Sequence, residues 1–234
     1  MSEQRVYAQV RFTRPEGSTE LLLVRHGQSA VADMDHPFPL VNGRGDPPLS
    51  PLGVAQANAT AQRLLDLELD AIFVTQLQRT MQTAEPLAAA TGLLPVVETG
   101  LVEVSMGEWE GGVYRQRMAE RHPLALRAFA EQRWDVIPGG ESNESLAKRT
   151  AAALARIADA HRGGRVVLFV HAVVISSLLA QATGSEPFAF VSVDNASISE
   201  LVVEGGRWHL RRFNDTAHLE NLAHHETVAG RSLA

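Results

Sequence analysis

The sequence contains no cysteine in 234 residues. Disulfides, a thiolate nucleophile and thiolate zinc sites are thereby excluded. No apolar run approaches the ~20 residues needed to span a bilayer. The first residues, Met1-Ser2-Glu3-Gln4-Arg5-Val6-Tyr7, lack the apolar core of a secretory leader, so a cytoplasmic location is expected. Positive charge is also in deficit. The formal net charge of -6 argues against non-specific nucleic-acid binding, and an anionic ligand would need a locally basic pocket. No internal repeat and no linker divides the chain. Its 45% hydrophobic and 21% charged residues match an ordinary globular protein, long enough for one α/β domain with a full core.

Leu21-Leu22-Leu23-Val24-Arg25-His26-Gly27-Gln28-Ser29 is the stretch that organises the rest. Four consecutive aliphatic residues read as a strand buried on both faces. The run ends in a cation and an imidazole. Gly27 is expected to let the backbone turn there without a Cβ in the way of a ligand. Arg165 to His171 repeats the design, an apolar strand ending in histidine. If the two strands are parallel neighbours, His26 and His171 stand side by side at the carboxyl edge of the sheet, where open α/β sheets bind ligands.

Around these strands the chain alternates between strand and helix patterns, which gives an α/β class with a mainly parallel central sheet. Residues 5–13 alternate through Val6, Ala8, Val10 and Phe12, which suggests an added edge strand or an arm packed on a partner. A long loop with several prolines and glycines covers 30–50. Ser50 and Pro51 then fit the N-cap and first position of a helix running to about Leu67. Ala71 to Thr75 is a buried strand, followed by a helix from about Leu77 in which Pro86 should cause a kink or restart. Gly92 ends it, and Pro95–Glu98 is a short strand. A carboxylate-rich loop at 101–111 leads into a helical region ending near Trp134. A helix follows over about Asn143–His161, then the His171 strand, an apolar helix to Thr183, and a hairpin through Gly205-Gly206. Domain boundaries are expected as an arm over 1–19, the folded unit over 20–215 and a tail over 216–234. His218, His224 and His225 in that tail match no zinc spacing and read as surface histidines.

These residues suit phosphoryl chemistry. Cleaving a phosphate ester needs an in-line nucleophile, positive donors on the equatorial oxygens and an acid for the leaving group. His26 can be the nucleophile if its other ring nitrogen donates to a backbone carbonyl. Arg25, Arg79 and His171 can supply donors. A carboxylic acid of the 101–111 loop, Glu103, Glu108 or Glu110, is the best source of the leaving-group proton. Trp109, Met118, Phe129 and Trp134 fit either an apolar lid or the core.

The sequence resembles the histidine phosphatase superfamily, also called phosphoglycerate mutase-like. The likeness lies in Leu23-Val24-Arg25-His26-Gly27-Gln28-Ser29, in Asp46 to Gly53, and in Leu77 to Ala84. It continues in Glu103 with Gly107-Glu108-Trp109-Glu110-Gly111, in Pro138-Gly139-Gly140-Glu141-Ser142, in Val170-His171 and in Asp194 to Ser199. The resemblance implies a three-layer α/β/α sandwich. It implies that His26 carries the phosphoryl group, that Arg25, Arg79 and His171 complete its pocket, and that Glu103 is the acid and later the base for water. It places Ser29, Asn42, Gly43 and Ala172 at substrate contacts and implies no metal and no cofactor. The expected partner is a small-molecule phosphate ester, with neither nucleic acid nor membrane; a homodimer stays open.

Two positions depart from the family pattern. Ala172 follows the second histidine where glycine is usual, and is tolerated if its φ is negative. Ala32 stands where asparagine is common, which removes a polar contact. Three functions compete. A phosphomonoesterase passes the phosphoryl group to water, a mutase returns it to a sugar acid, and a sensor only binds a phospho-ligand. The short passage from Trp134 to Pro138-Gly139-Gly140-Glu141, without the mutases' insertion and paired arginines, resembles the phosphatase branch. Arg44 is the nearby cation that could serve a second anionic group.

Overall fold

Strand β1 (Thr19–Arg25) is almost wholly buried, and its alternation explains the layers. In the computed structural model, which describes residues 8–222, Leu21 and Leu23 point into one apolar cluster while Leu22 and Val24 point into another. Strand β6 (Arg165–Val170) splits the same way, with Val166, Leu168 and Val170 on the first side and Val167 and Phe169 on the second. On the first side lie α5 (Asn143–Ala160) and α6 (Ala172–Thr183), through Leu154, Ile157, Ile175 and Leu178. On the second lie α1 (Pro51–Leu64) and α2 (Gln78–Thr91), through Leu64, Ala84 and Leu87. A sheet with two apolar faces needs helices on both, and the result is an α/β/α sandwich.

The six-stranded sheet has the order β5-β4-β6-β1-β7-β8, with β4 (Ala71–Val74), β5 (Val96–Val97), β7 (Ile198–Glu204) and β8 (Arg207–Asp215). Strands β5, β4, β6 and β1 are parallel. The last two form the expected hairpin and pair antiparallel, Val24 facing Ile198. The sheet is therefore mixed and mostly parallel. Leu23 lies opposite Leu168 and Arg25 opposite Val170, so the two histidine strands are the parallel neighbours expected. A two-stranded ribbon of β2 (Leu40–Val41) and β3 (Arg44–Gly45) interrupts the long loop.

Local expectations differ from the structure in three places and are refined in a fourth. Residues 8–15 form no strand, and Val10 is 90% exposed; Phe12 instead lies under the Arg211 guanidinium, 3.5 Å from its ring centre. Val6 and the start of that alternation lie outside the described residues. Helix α1 ends at Leu64 rather than Leu67. Pro86 sits inside a continuous α2; the carbonyl it leaves without a helical partner is that of Gln82, which is itself half-buried. The region before Trp134 is two helices, α3 (Val113–Ala119) and α4 (Pro123–Glu131), separated at Arg121, whose φ is +54°. Among the described residues, no helix is long and apolar enough to cross a membrane.

The loop after His26 is strapped to the start of α1. Ser50 caps α1, accepting from the Gly53 N–H at 3.1 Å, and its own N–H donates to the Gln28 carbonyl at 2.8 Å. Gly27 does not have a positive φ. A Cβ there would meet the Gly53 carbonyl oxygen at 2.5 Å, and a Cβ on Gly53 would meet the Gln28 oxygen at 2.0 Å. These glycines therefore serve the contact between loop and helix, and not the approach of a ligand as expected for Gly27. Gly53→Ala should destabilise the fold by about 1–3 kcal/mol, the usual cost of overpacking. Urea unfolding checks this; an unchanged midpoint would show that the backbone contact is not tight.

Candidate active site

Strands β4, β6 and β1 are parallel, so their carboxyl ends share one edge. Arg25 and His26 leave β1, His171 leaves β6, and Thr75 leaves β4 there. Helices α2 and α6 begin at the same edge, and their N-terminal N–H groups add positive field. The edge opens into a cavity of about 360 Å³ whose walls include Arg25, His26, Arg79, Glu103 and Ala172.

His26 is held by its neighbours. Its backbone N–H donates to the Val170 carbonyl, and its carbonyl accepts from the Asn195 amide at 3.0 Å. The ring Nδ1 lies 2.8 Å from the Gly27 carbonyl oxygen, so Nδ1 carries the proton. Nε2 accepts from Arg79 Nε at 3.2 Å and is the unprotonated nitrogen. This is the tautomer a nucleophilic histidine requires. Burial, then the charges of Arg79 and Arg25, hold the His26 pKa well below the ordinary histidine value. The imidazole is thus neutral across the physiological range.

Arg79 is the second residue of α2 and is buried. Its Nη1 donates to the Gly45 carbonyl at 2.9 Å. Arg25 donates to the Val193 carbonyl, and its Nε has no partner among the described residues. Burial lowers both guanidinium pKa values, and the Glu103 charge opposes this. His171 lies behind His26, ring centroids 5.3 Å apart, and is not on the cavity wall. Its Nε2 is 3.0 Å from Thr75 Oγ1, while its buried Nδ1 has no partner among the described residues. Burial and the Arg79 charge push the His171 pKa well below the ordinary value.

The three loop carboxylates separate by environment. Glu108 is exposed. Both Glu110 oxygens are taken, by the Met106 N–H at 2.9 Å and the Gly45 N–H at 2.7 Å. Glu103 faces the cavity, with Oε1 accepting from the Val104 N–H at 3.0 Å and Oε2 at 3.5 Å from the Val173 nitrogen. Burial raises its pKa above the ordinary carboxylate value despite those N–H groups and Arg79. A carboxyl so placed holds a proton more readily than a solvated one. Its loop is gripped by Arg149, which donates to the Gly100, Val102 and Glu103 carbonyls and pairs with both oxygens of Glu141. Pro138-Gly139-Gly140-Glu141 thereby helps to fix Glu103.

Other expected contacts fall elsewhere. Asn42 and Gly43 form the exposed β2–β3 turn, with φ of +49° and +75°, and do not line the cavity; Arg44 and Gly45 beyond them do. Ser29 is buried off the wall and accepts from Arg115 Nη2 at 2.7 Å. Ala172 opens α6 with a negative φ, so no glycine is required. Trp109, Phe129 and Trp134 line the cavity, while Met118 packs only on the core. His218 is not a surface residue. It lies half-buried, 3.2 Å from Thr60 Oγ1 and 3.1 Å from the Ala196 carbonyl oxygen. His224 and His225 lie outside the described residues.

Thr75, Arg115 and Arg149 escaped the reading of the sequence. Thr75 had a signal, as a hydroxyl at the end of a strand parallel to both histidine strands. The arginines had none, because on helices they read as solvated charge.

The model of the histidine phosphatase superfamily (branch 1) matches residues 21–216. Phosphoglycerate mutase-like protein 4 of Arabidopsis thaliana is 34% identical, over 86% of this chain and 87% of that protein. The metal-independent phosphoserine phosphatase of the same plant is 31% identical, over 87% of this chain and 84% of its own length. The native structure of mycobacterial glucosyl-3-phosphoglycerate phosphatase superposes with a TM-score of 0.71 at 29% identity, covering 85% of this chain and all of that one.

Proposed function

The chain belongs to the histidine phosphatase superfamily, branch 1, and from that premise we propose that it is a metal-independent phosphomonoesterase acting through a phosphohistidine on a small phosphorylated metabolite. The observation that carries this reading is the His26 ring. Its Nδ1 is committed to the Gly27 carbonyl, and its unprotonated Nε2 accepts from Arg79 Nε, a donor that must turn to the phosphoryl oxygens for Nε2 to attack. In the first step Nε2 attacks phosphorus in line with the ester oxygen. The N–P bond forms as the P–O bond breaks, and Glu103 gives its proton to the departing alkoxide. Arg25 and Arg79 hold the equatorial oxygens, and His171 can reach one of them only as a donor through Nδ1, in the tautomer whose Nε2 accepts from the Thr75 hydroxyl. In the second step Glu103, now a carboxylate, takes a proton from water. The water oxygen attacks phosphorus, the N–P bond breaks, and inorganic phosphate leaves with His26 neutral again. The relatives named for phosphoserine and glucosyl-3-phosphoglycerate support a phosphate ester as substrate.

Arg25 and Arg79 beside one phosphoryl group supply the positive charge that a metal would otherwise provide, and the neutral His171 can add a hydrogen bond. Turnover should therefore persist in excess EDTA. Complete loss that one added divalent metal restores would contradict the metal-independent step. The mutase is separated by phosphorus NMR of the enzyme with 3-phosphoglycerate and a catalytic amount of 2,3-bisphosphoglycerate. Release of inorganic phosphate without 2-phosphoglycerate fits the phosphatase. Rapid isomerisation without phosphate release would replace it by the mutase.

A further inference from the structure

The chain has only three tryptophans, two tyrosines and eight phenylalanines. Two of those tryptophans, one tyrosine and two phenylalanines meet at this one cavity: Trp109, Trp134, Tyr114, Phe129 and Phe38. They come from five places, the loop after β1, the carboxylate loop, α3, α4 and the segment beyond it, so no single helix's amphipathic face explains the cluster. Trp109 and Tyr114 centroids are 6.5 Å apart, Tyr114 and Trp134 6.2 Å, and Trp134 and Phe129 6.0 Å. Trp109 and Trp134, 6% and 2% exposed, belong to the core and meet the cavity together with Tyr114 and Phe129, and Val173 and Val191 extend this face. Phe129 remains 38% exposed, which is unusual for a ring whose only purpose is packing in the core.

The charged groups on the same side are tethered to the protein. Arg44 donates to the Glu103 carbonyl at 3.1 Å and stands 3.7 Å from Glu141. Arg115 donates to the Ala30 carbonyl at 2.6 Å and to Ser29 at 2.7 Å, with its guanidinium carbon 5.3 Å from the Phe38 ring centre. Glu110 holds two backbone N–H groups. Beyond the phosphoryl end, the Tyr114 and Ser192 hydroxyls and the Trp109 and Trp134 indole N–H groups are the uncharged polar groups among the lining side chains. Each guanidinium keeps N–H groups beyond these contacts, but apolar side chains make up most of the lining beyond the phosphoryl end, and an apolar group needs only that wall as it stands.

We infer that the cavity takes phosphate monoesters whose alcohol carries an aromatic or other apolar body. This rests on the phosphatase reading and names its substrate class. It departs from the carboxylate-bearing substrates in the names of the two phosphatase relatives. The test compares kcat/KM for three esters of primary alcohols, so that each leaving group needs a proton: 2-phenylethyl phosphate, ethyl phosphate and O-phosphoserine. p-Nitrophenyl phosphate is the control. The phenylethyl ester should exceed both others by at least about tenfold, the low end of what a hydrophobic pocket discriminates, with the difference mainly in KM. Phe129→Asn, a change at a partly exposed ring, should lower kcat/KM for the phenylethyl ester more than for the ethyl ester. Equal values, or a preference for O-phosphoserine, would overturn the inference and leave the phosphatase standing. No hydrolysis of any ester, the control included, would remove both.

Discussion

His26→Ala should abolish turnover, with a loss on the order of 10⁶-fold, the scale reached when the nucleophile of a covalent mechanism is removed. The alanine cannot form the N–P bond, and no other side chain on the cavity wall is placed to replace it. His171 is the nearest imidazole, but its Nε2 is engaged by Thr75 and it lies behind the wall. The variant should keep its fold, because His26 makes its main contacts through backbone groups that alanine retains. It should still bind inorganic phosphate through Arg25 and Arg79. Calorimetric phosphate binding and an unchanged far-UV spectrum separate a chemical loss from a folding one. Turnover within tenfold of the parent would remove His26 from the chemistry.

Glu103→Gln should cost about 10²–10⁴-fold on alkyl phosphates, the usual contribution of a positioned acid. The cost should be much smaller on p-nitrophenyl phosphate, whose leaving group barely needs a proton. The pH dependence follows from two shifts of opposite sign. Glu103 must be protonated to act as acid. Burial raises its pKa, so activity on alkyl esters extends above the ordinary carboxylate range and falls as pH rises through that raised value. His26 must be neutral to attack. Burial and two guanidiniums depress its pKa well below 6.5, so histidine protonation should not limit the rate until well below the usual histidine range. In Glu103→Gln the alkaline limb attributed to Glu103 should vanish while the acid limb stays. If Glu103→Gln were harmless and Glu108→Gln or Glu110→Gln crippling, the acid would be misassigned.

The sequence made the centre of the fold legible because burial left it little choice. Leu21 to Val24 and Val166 to Val170 are apolar at every position, and only a sheet covered on both faces accommodates that. Their shared ending in histidine then placed His26 beside His171. Ser50-Pro51 marked the start of α1 because a hydroxyl cap and a missing N–H suit only that position. The failures have equally specific causes. The alternation at Val6, Ala8, Val10 and Phe12 imitates a strand, but alternation alone does not supply a partner for the backbone. Residue type alone could not choose among Glu103, Glu108 and Glu110; the family likeness favoured Glu103, and local hydrogen bonding then set the three apart. Gly27 was read as clearance for a ligand, when its close neighbour is the backbone of Gly53, 26 positions further along the chain. Contacts across such separations leave no mark in a local pattern, which is also why Arg149 gave no sign of holding the Glu103 loop.

The central claim is that His26 Nε2 carries the phosphoryl group. It is tested most directly by mixing the enzyme with ³²P-labelled phosphate ester, quenching in alkali within milliseconds, and mapping the labelled peptide. Glu103→Gln, which slows attack by water, should raise the amount trapped from a p-nitrophenyl ester. The expected result is label that survives alkali, is lost in acid, and lies on the peptide containing His26, absent from His26→Ala. Label on another residue, or full turnover with no trapped phosphoryl group in either the parent or Glu103→Gln, would contradict the account.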